Sequence, residues 1–184
     1  MIDYGRLDRS ASFYESYGFK RIESPWTVTK EVSNITKPPH GTDWEILGKN
    51  KVLVASGEQS FLYLYLKGFL PKGKYQTITP CFREEPFDKT HTKYFIKNEL
   101  MITDDVSEDS LFYVVGICKQ FYEKELGTKV EFVKTDIGID LEVNGIEIGS
   151  YGIRSCEYLD WIYATGLAEP RFTFIKNMIK NGIS

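Results

Sequence analysis

Between Asp140 and Gly149 the chain reads Asp-Leu-Glu-Val-Asn-Gly-Ile-Glu-Ile-Gly, and the central Asn144-Gly145 pair limits the possible folds more than any other segment. A two-residue turn between strands needs positive φ at both positions, which Asn and Gly tolerate, so the flanking runs are expected to pair as a hairpin. The register then follows, with Val143 opposite Ile146 and Glu142 opposite Glu147. Strand alternation puts Leu141, Val143, Ile146 and Ile148 on a core side and Asp140, Glu142 and Glu147 on the other. Two carboxylates in direct cross-strand opposition repel. A cation between them relieves this, and so does water around both.

Further strands are expected at Lys51–Ala55, Tyr75–Glu85, Tyr94–Thr103, Val130–Lys134, Ile137–Val143, Ile146–Tyr151 and Asp160–Ala164, with Phe19–Ser24 extended. The polar loop from Pro86 to Lys93 has a length suited to joining its two neighbours as a long hairpin. Helical spacing marks Asp3–Tyr17, where Leu7, Ala11, Tyr14 and Tyr17 share a face and Gly18 is the stop. Another helix runs from Gln59 to Leu70. The clearest begins at Ser107, has Glu108 and Asp109 in its first turn, aligns Leu111, Val114, Val115, Cys118, Phe121 and Tyr122, and closes at Gly127. A last helix opens with Pro170 in its first position. Strands outnumber helices and neighbours are mostly hairpin-linked. An α+β fold is expected, with one antiparallel β-sheet flanked by helices and residues 1–184 in a single domain.

Composition narrows the function. A formal net charge of −3 over 184 residues argues against a large basic surface for nucleic acid. No run approaches the ~20 apolar residues of a membrane span. Met1–Tyr4 lacks the layout of a secretion signal, and Cys81, Cys118 and Cys156 are odd in number and far apart, so a reduced, cytoplasmic protein is expected. His40 and His91 form no close pair with each other or with a cysteine that would suit structural zinc. Trp26, Trp44, Trp161 and the run Phe61–Tyr65 read as packing surfaces, because no dense positive charge interleaves them.

Chemistry concentrates around Cys81-Phe82-Arg83-Glu84-Glu85 and the returning strand that carries Phe95 and Glu99. Phe-Arg-x-Glu, a variable loop and a Phe on the next strand resemble the second signature motif of class II aminoacyl-tRNA synthetases. The offsets of Asp88, Thr90, His91, Phe95 and Glu99 from Arg83 are most similar to the phenylalanyl and pyrrolysyl branch, while the run from Leu70-Pro71 to Thr79-Pro80-Cys81-Phe82-Arg83 also resembles seryl and prolyl enzymes. The stretch ending Phe19-Lys20-Arg21-Ile22-Glu23-Ser24-Pro25 is similar to the first motif, a helix and strand ending in proline at a dimer interface. Gly166-Leu167-Ala168-Glu169-Pro170-Arg171 resembles the third, G-x-G-x-x-R opening a helix, with Ala168 in place of the second glycine.

The resemblance implies a fold of the class II synthetase and biotin ligase type that uses ATP and Mg²⁺. Activating an amino acid brings its carboxylate onto the α-phosphorus of ATP, so the site must shield one anion from another. Arginine does this without losing its charge. The family pattern implies that Arg83 holds the α-phosphate and the amino-acid carboxylate, Arg171 the γ-phosphate and His91 the outer phosphates. It also implies that Phe95 stacks on adenine, that Glu85 contacts the adenine amino group, and that Gly166 and Ser150 belong to the nucleotide site. Glu147 matches the metal-holding acid, with Glu142 as its helper. Ser56-Gly57-Glu58 resembles a loop that receives the α-ammonium, and Glu99 is a second candidate for that role. Lys97 stands where phenylalanyl enzymes carry Gln, and a lysine there either suits an acidic substrate or points away. Outside the motif pattern, Arg83 reads as a solvated strand residue, Phe95 as core and Gly166 as a loop hinge.

Little sequence follows Arg171, and a catalytic core without the appendage by which such enzymes grip tRNA is expected. The first expectation is therefore a minimal ligase that forms an aminoacyl-adenylate, releases pyrophosphate, and passes the amino acid to tRNA, a carrier protein or another nucleophile. The second is a catalytically altered paralogue that binds ATP or an amino acid as a regulatory protein, which Ala168 favours. The third is amide synthesis from a free acid and ammonia or an amine. The resemblance also implies a homodimer, and no membrane partner is expected.

Overall fold

A computed structural model describes residues 1–84 and 92–182 of the chain. Helix α1 (Tyr4–Glu15) starts where the Asp3 side chain accepts the Arg6 N–H at 2.8 Å, and Gly18, at φ 86°, turns the chain beyond it. Next come β1 (Lys20–Arg21), β2 (Thr27–Thr29), α2 (Lys30–Thr36), β3 (Trp44–Glu45), β4 (Lys51–Leu53) and α3 (Gly57–Leu66). Strands β5 (Lys74–Phe82) and β6 (Tyr94–Ile102) pair antiparallel from Lys74 opposite Ile102 to Phe82 opposite Tyr94. Helix α4 (Glu108–Leu126) is capped by Ser107 and closed by Gly127 at φ 70°, as its sequence predicts. Strands β7 (Glu131–Thr135), β8 (Gly138–Val143), β9 (Ile146–Cys156) and β10 (Leu159–Glu169) lead into α5 (Arg171–Lys180).

The expected α+β architecture is present. A seven-stranded sheet runs β1-β5-β6-β10-β9-β8-β7, antiparallel except where β1 lies parallel to β5. On its back, Tyr14, Phe121, Tyr122 and Phe172 from α1, α4 and α5 pack against Leu100, Ile102, Leu141 and Ile162. On its front, α3 and a small sheet of order β2-β4-β3 press Val28, Val52, Phe61 and Leu62 onto Tyr75, Met101 and Trp161. The period-2 pattern of β6 makes this sorting, since Leu100 and Ile102 face back while Met101 between them faces front.

Several elements differ from the sequence reading. β9 and β10 continue past Tyr151 and begin before Asp160 as one hairpin, closed by Cys156 opposite Leu159. Pro170 is the N-cap of α5 (φ −94°, ψ 4°) and not its first residue, so the helix opens on Arg171. Helix α3 begins at Gly57, because the Ser56 hydroxyl accepts the Glu58 N–H, and it ends at Leu66. The elements α2, β2 and β3 are too short to show periodicity and do not stand out in the sequence. Trp161 is buried and Trp44 lies 6.0 Å from the Phe82 ring, but Trp26 is 61% exposed and is not a packing residue.

Asn144 and Gly145 take φ 51° and 72°, and Val143 faces Ile146 and Glu142 faces Glu147, as the turn chemistry requires. One step on, Leu141 pairs with Gly149, so Ile148 is the extra residue of a bulge. The phase shift brings Ser150, paired with Asp140, onto the same side as Glu147. A second bulge, at Gly166, makes Thr165 face Glu99 and Leu167 face Asn98. Carbonyls at this bulge are held by buried phenols: Tyr14 Oη donates to Gly166 O at 2.7 Å, and Tyr122 and Tyr151 Oη donate to Thr165 O at 2.7 and 2.9 Å. Burial pushes all three phenols well above their ordinary pKa, so they remain donors.

Gly149 lies against the same hydroxyls. A Cβ there would run into that of Tyr151 and sit 3.0 Å from that of Tyr122. Gly149→Ala is expected to lower stability by about 1–3 kcal/mol in urea denaturation. Unchanged stability would contradict the close approach.

Candidate active site

Beyond α3 the front of the sheet floors a cleft with about 240 Å³ open to water. Arg83 and Arg171 both line it, as do Phe95, Glu147, Ser150 and Lys97. Residues far apart in sequence meet here because β6, β10 and β9 are adjacent strands and their outward-facing positions share one surface.

Arg83 follows β5, where its N–H donates to Lys93 O at 2.9 Å. Its Nε donates to Ala55 O at 3.0 Å, and the guanidinium lies 5.1 Å from the Phe95 ring centroid, so main chain and aromatic face together fix its plane. Arg171 opens α5 and donates to Glu147 Oε1 at 3.0 Å. The start of α5 is tied down from behind. Glu169 accepts the Thr173 N–H at 3.2 Å and is paired with the buried Arg6, which also reaches Thr173 at 2.9 Å and Glu125 at 3.3 Å. Burial pushes the Glu169 carboxyl up, against the opposing pull of Thr173 and Arg6.

Two buried carboxylates lie beneath the cleft. Glu99 accepts from Ser56 Oγ and Gly57 N at 2.8 Å each and from Lys97 Nζ at 3.0 Å. It thereby clamps the first turn of α3 to β6. Gly57 makes that approach possible, since a Cβ there would sit 3.0 Å from Thr79. Burial pushes Glu99 up, but Lys97, Ser56 and Arg83 outweigh it and hold the carboxyl below its ordinary range. Glu58 accepts from Arg154 Nη1 and Trp161 Nε1 at 2.6 Å each, and its burial, the dominant influence, keeps its carboxyl raised despite Arg154.

The structure thus brings Arg83, Phe95, Lys97, Glu147, Ser150 and Arg171 together on one wall. Glu58 and Glu99 sit behind that wall with their oxygens engaged by the chain. Gly166 faces back toward Tyr14, where a Cβ would lie 2.8 Å from the ring, so it is a packing glycine of the bulge and not a loop hinge. Glu142 is opposite Glu147 but off the wall. Glu85 and His91 lie outside the described residues. Arg154, Tyr163 and Thr165 also line the cleft. The sequence reading missed Arg154 because it ended the strand at Tyr151, although Ser150, Gly152 and Arg154 alternate onto one face. Among the described residues, no group of three or more His, Cys, Asp or Glu could hold a metal ion, and no helix is long and apolar enough to cross a membrane.

No protein-family model and no curated protein sequence matches the chain. Solved structures match along nearly all of it. Pyrrolysyl-tRNA synthetase from Desulfitobacterium hafniense superimposes with a TM-score of 0.74 at 16% identity, over 97% of this chain and 69% of that one. Seryl-tRNA synthetase from Pyrococcus horikoshii, complexed with ATP, gives 0.71 at 13% identity, over 96% of this chain and 50% of that one. Cytoplasmic serine-tRNA ligase from Naegleria fowleri, in complex with AMP, gives 0.69 at 17% identity, over 91% and 46%. The chain has the fold of a class II aminoacyl-tRNA synthetase catalytic core. The strand order of this chain places the ends of β5, β6 and β10 around this cleft.

The Lys97–Glu99 pair gives a test with a defined sign. In the wild type, Glu99 stabilises the fold above the ordinary carboxylate range and loses that contribution as pH falls through its depressed pKa. Lys97→Met leaves burial less opposed and raises the folded-state pKa, so the folded state then holds more protons than the unfolded one. The variant should lose about 2–4 kcal/mol near pH 7, with the deficit shrinking toward about pH 5. A deficit independent of pH in thermal melts would contradict the pairing.

Proposed function

We propose that the chain activates an amino acid with ATP, forming an aminoacyl-adenylate and pyrophosphate, and delivers it to tRNA or another acceptor. The observation that carries this is the convergence of Arg83 and Arg171 on one cleft, beside Phe95, in a fold whose solved examples include ATP- and AMP-bound synthetases. Arg83, immobilised by Ala55 and Phe95, presents a fixed positive group where the substrate carboxylate meets the α-phosphate, which offsets charge building in the transition state. Phe95 supplies a face for adenine, and Arg171 takes the far end of the triphosphate, with Glu85 and His91 contributing from the segment between β5 and β6.

The donor set suits a nucleotide: two guanidiniums, an aromatic face and Ser150 share the cleft. A Mg²⁺ bound with ATP would spread the phosphate charge and needs only one or two protein carboxylates, of which Glu147 lines the cleft and would hold it. Glu147 is paired with Arg171, so a phosphate on Arg171 frees Glu147 for that role. A cytoplasmic homodimer, joined through α1 and the segment ending at Pro25, belongs to the same proposal.

Pyrophosphate exchange across a panel of amino acids tests the reading. Exchange with at least one is expected, and Arg83→Ala should slow it by about 10²–10³. Silence with every amino acid in the presence of Mg²⁺ would overturn it. ATP binding without exchange would support the regulatory paralogue, a reading that Ala168 on the cleft wall favours.

A further inference from the structure

Charge in the cleft is arranged in two layers. Lys97 and Arg154 stand on the wall, with side chains 12% and 36% exposed, while their partners Glu99 and Glu58 lie behind at 2% and 5%. Each pair is neutral overall but turns its positive end toward the cleft. Lys97 has three N–H donors and spends one on Glu99 at 3.0 Å. Arg154 has five and spends one on Glu58 at 2.6 Å. Among the described residues neither cation has a second acceptor.

Arg154 is also held in plane. Its guanidinium lies 4.2 Å from the Tyr163 ring centroid, and that ring lies across Gly152, where a Cβ would come within 2.7 Å of the hydroxyl. Stacking on one side and one bond to Glu58 leave donors in a fixed fork, the geometry that receives a carboxylate. The two cations and Arg83 line the same cleft. If Arg83 takes the reacting carboxylate, Lys97 and Arg154 remain for a second one.

We propose that the amino acid bound in this cleft carries a carboxylate side chain, aspartate or glutamate, received by Lys97 and Arg154. The proposal rests on reading the cleft as an amino-acid site. A neutral side chain leaves these cleft-facing donors without an anionic partner, and an amide offers one oxygen and an NH₂ group that opposes them. Sites built to pair a polar group reject analogues that lack it far more strongly than apolar pockets reject an extra methylene.

Calorimetric titration of the intact chain with L-aspartate, L-glutamate, L-asparagine and L-glutamine, with and without a non-hydrolysable ATP analogue, tests this directly. One of the acids is expected to bind at least about tenfold more tightly than its own amide. Lys97→Gln and Arg154→Gln should each weaken the acid by about 10–100-fold while ATP affinity changes little. Amides that bind as tightly as the acids, or no acid binding at millimolar concentration in either condition, would overturn the proposal, and this wild-type comparison decides it without the variants. Pyrophosphate exchange driven by a neutral amino acid would overturn it and leave activation standing. Acid binding without exchange would overturn activation and leave the acidic pocket standing.

Discussion

Three tyrosine hydroxyls hold the backbone where β10 leaves regular pairing, and the geometry of the cleft depends on that support. With Gly166 as an extra residue, Leu167 turns into the core opposite Asn98 and Ala168 turns to the cleft opposite Lys97. Without the bulge the two would exchange faces, because strand alternation has no other way to change phase. Tyr14, Tyr122 and Tyr151 satisfy the Thr165 and Gly166 carbonyls, and a buried carbonyl left unpaired costs about 1–3 kcal/mol. The bulge in β9 works in the same way, turning Ser150 to the side of Glu147 and leaving Gly149 beneath the same phenols. Two phase shifts on neighbouring strands, packed against one aromatic cluster, set which side chains reach the front.

Electrostatics adds a second level of order. The cations of the wall are anchored by groups behind them: Lys97 by Glu99, Arg154 by Glu58, and Arg83 by a main-chain carbonyl. Glu99 also binds Ser56 and Gly57, so the carboxylate that steadies Lys97 is the one that fixes the first turn of α3. Packing of α3 and the charge of the cleft are therefore linked through one buried residue. Such buried pairs contribute little net stability once desolvation is counted, and their value here is in position.

The hairpin at Asn144-Gly145 was legible because its turn admits few residues, and α4 because its cap, apolar stripe and terminal glycine agree. The convergence of Arg83, Phe95, Glu147 and Arg171 followed from motif spacing together with the antiparallel sheet. The bulges were hidden, since an extra residue leaves local composition unchanged and shows itself only through pairing across strands. That is why the packing of Gly166 under Tyr14 was not foreseen, and why Arg154 was missed altogether. The surroundings of Glu58 and Glu99 were obscured for another reason: a carboxylate in a motif looks the same in sequence whether it faces an open cleft or lies behind it, holding a cation that lines it.

The central claim is that two guanidiniums from distant parts of the chain serve one triphosphate. A crystal structure of the protein with ATP and Mg²⁺ tests it most directly. The account predicts adenine against Phe95, the α-phosphate on Arg83 and the terminal phosphate on Arg171, with Glu147 turned from the arginine toward the metal. Nucleotide density outside the cleft, or a nucleotide within it that touches only one of the two arginines, would contradict the account.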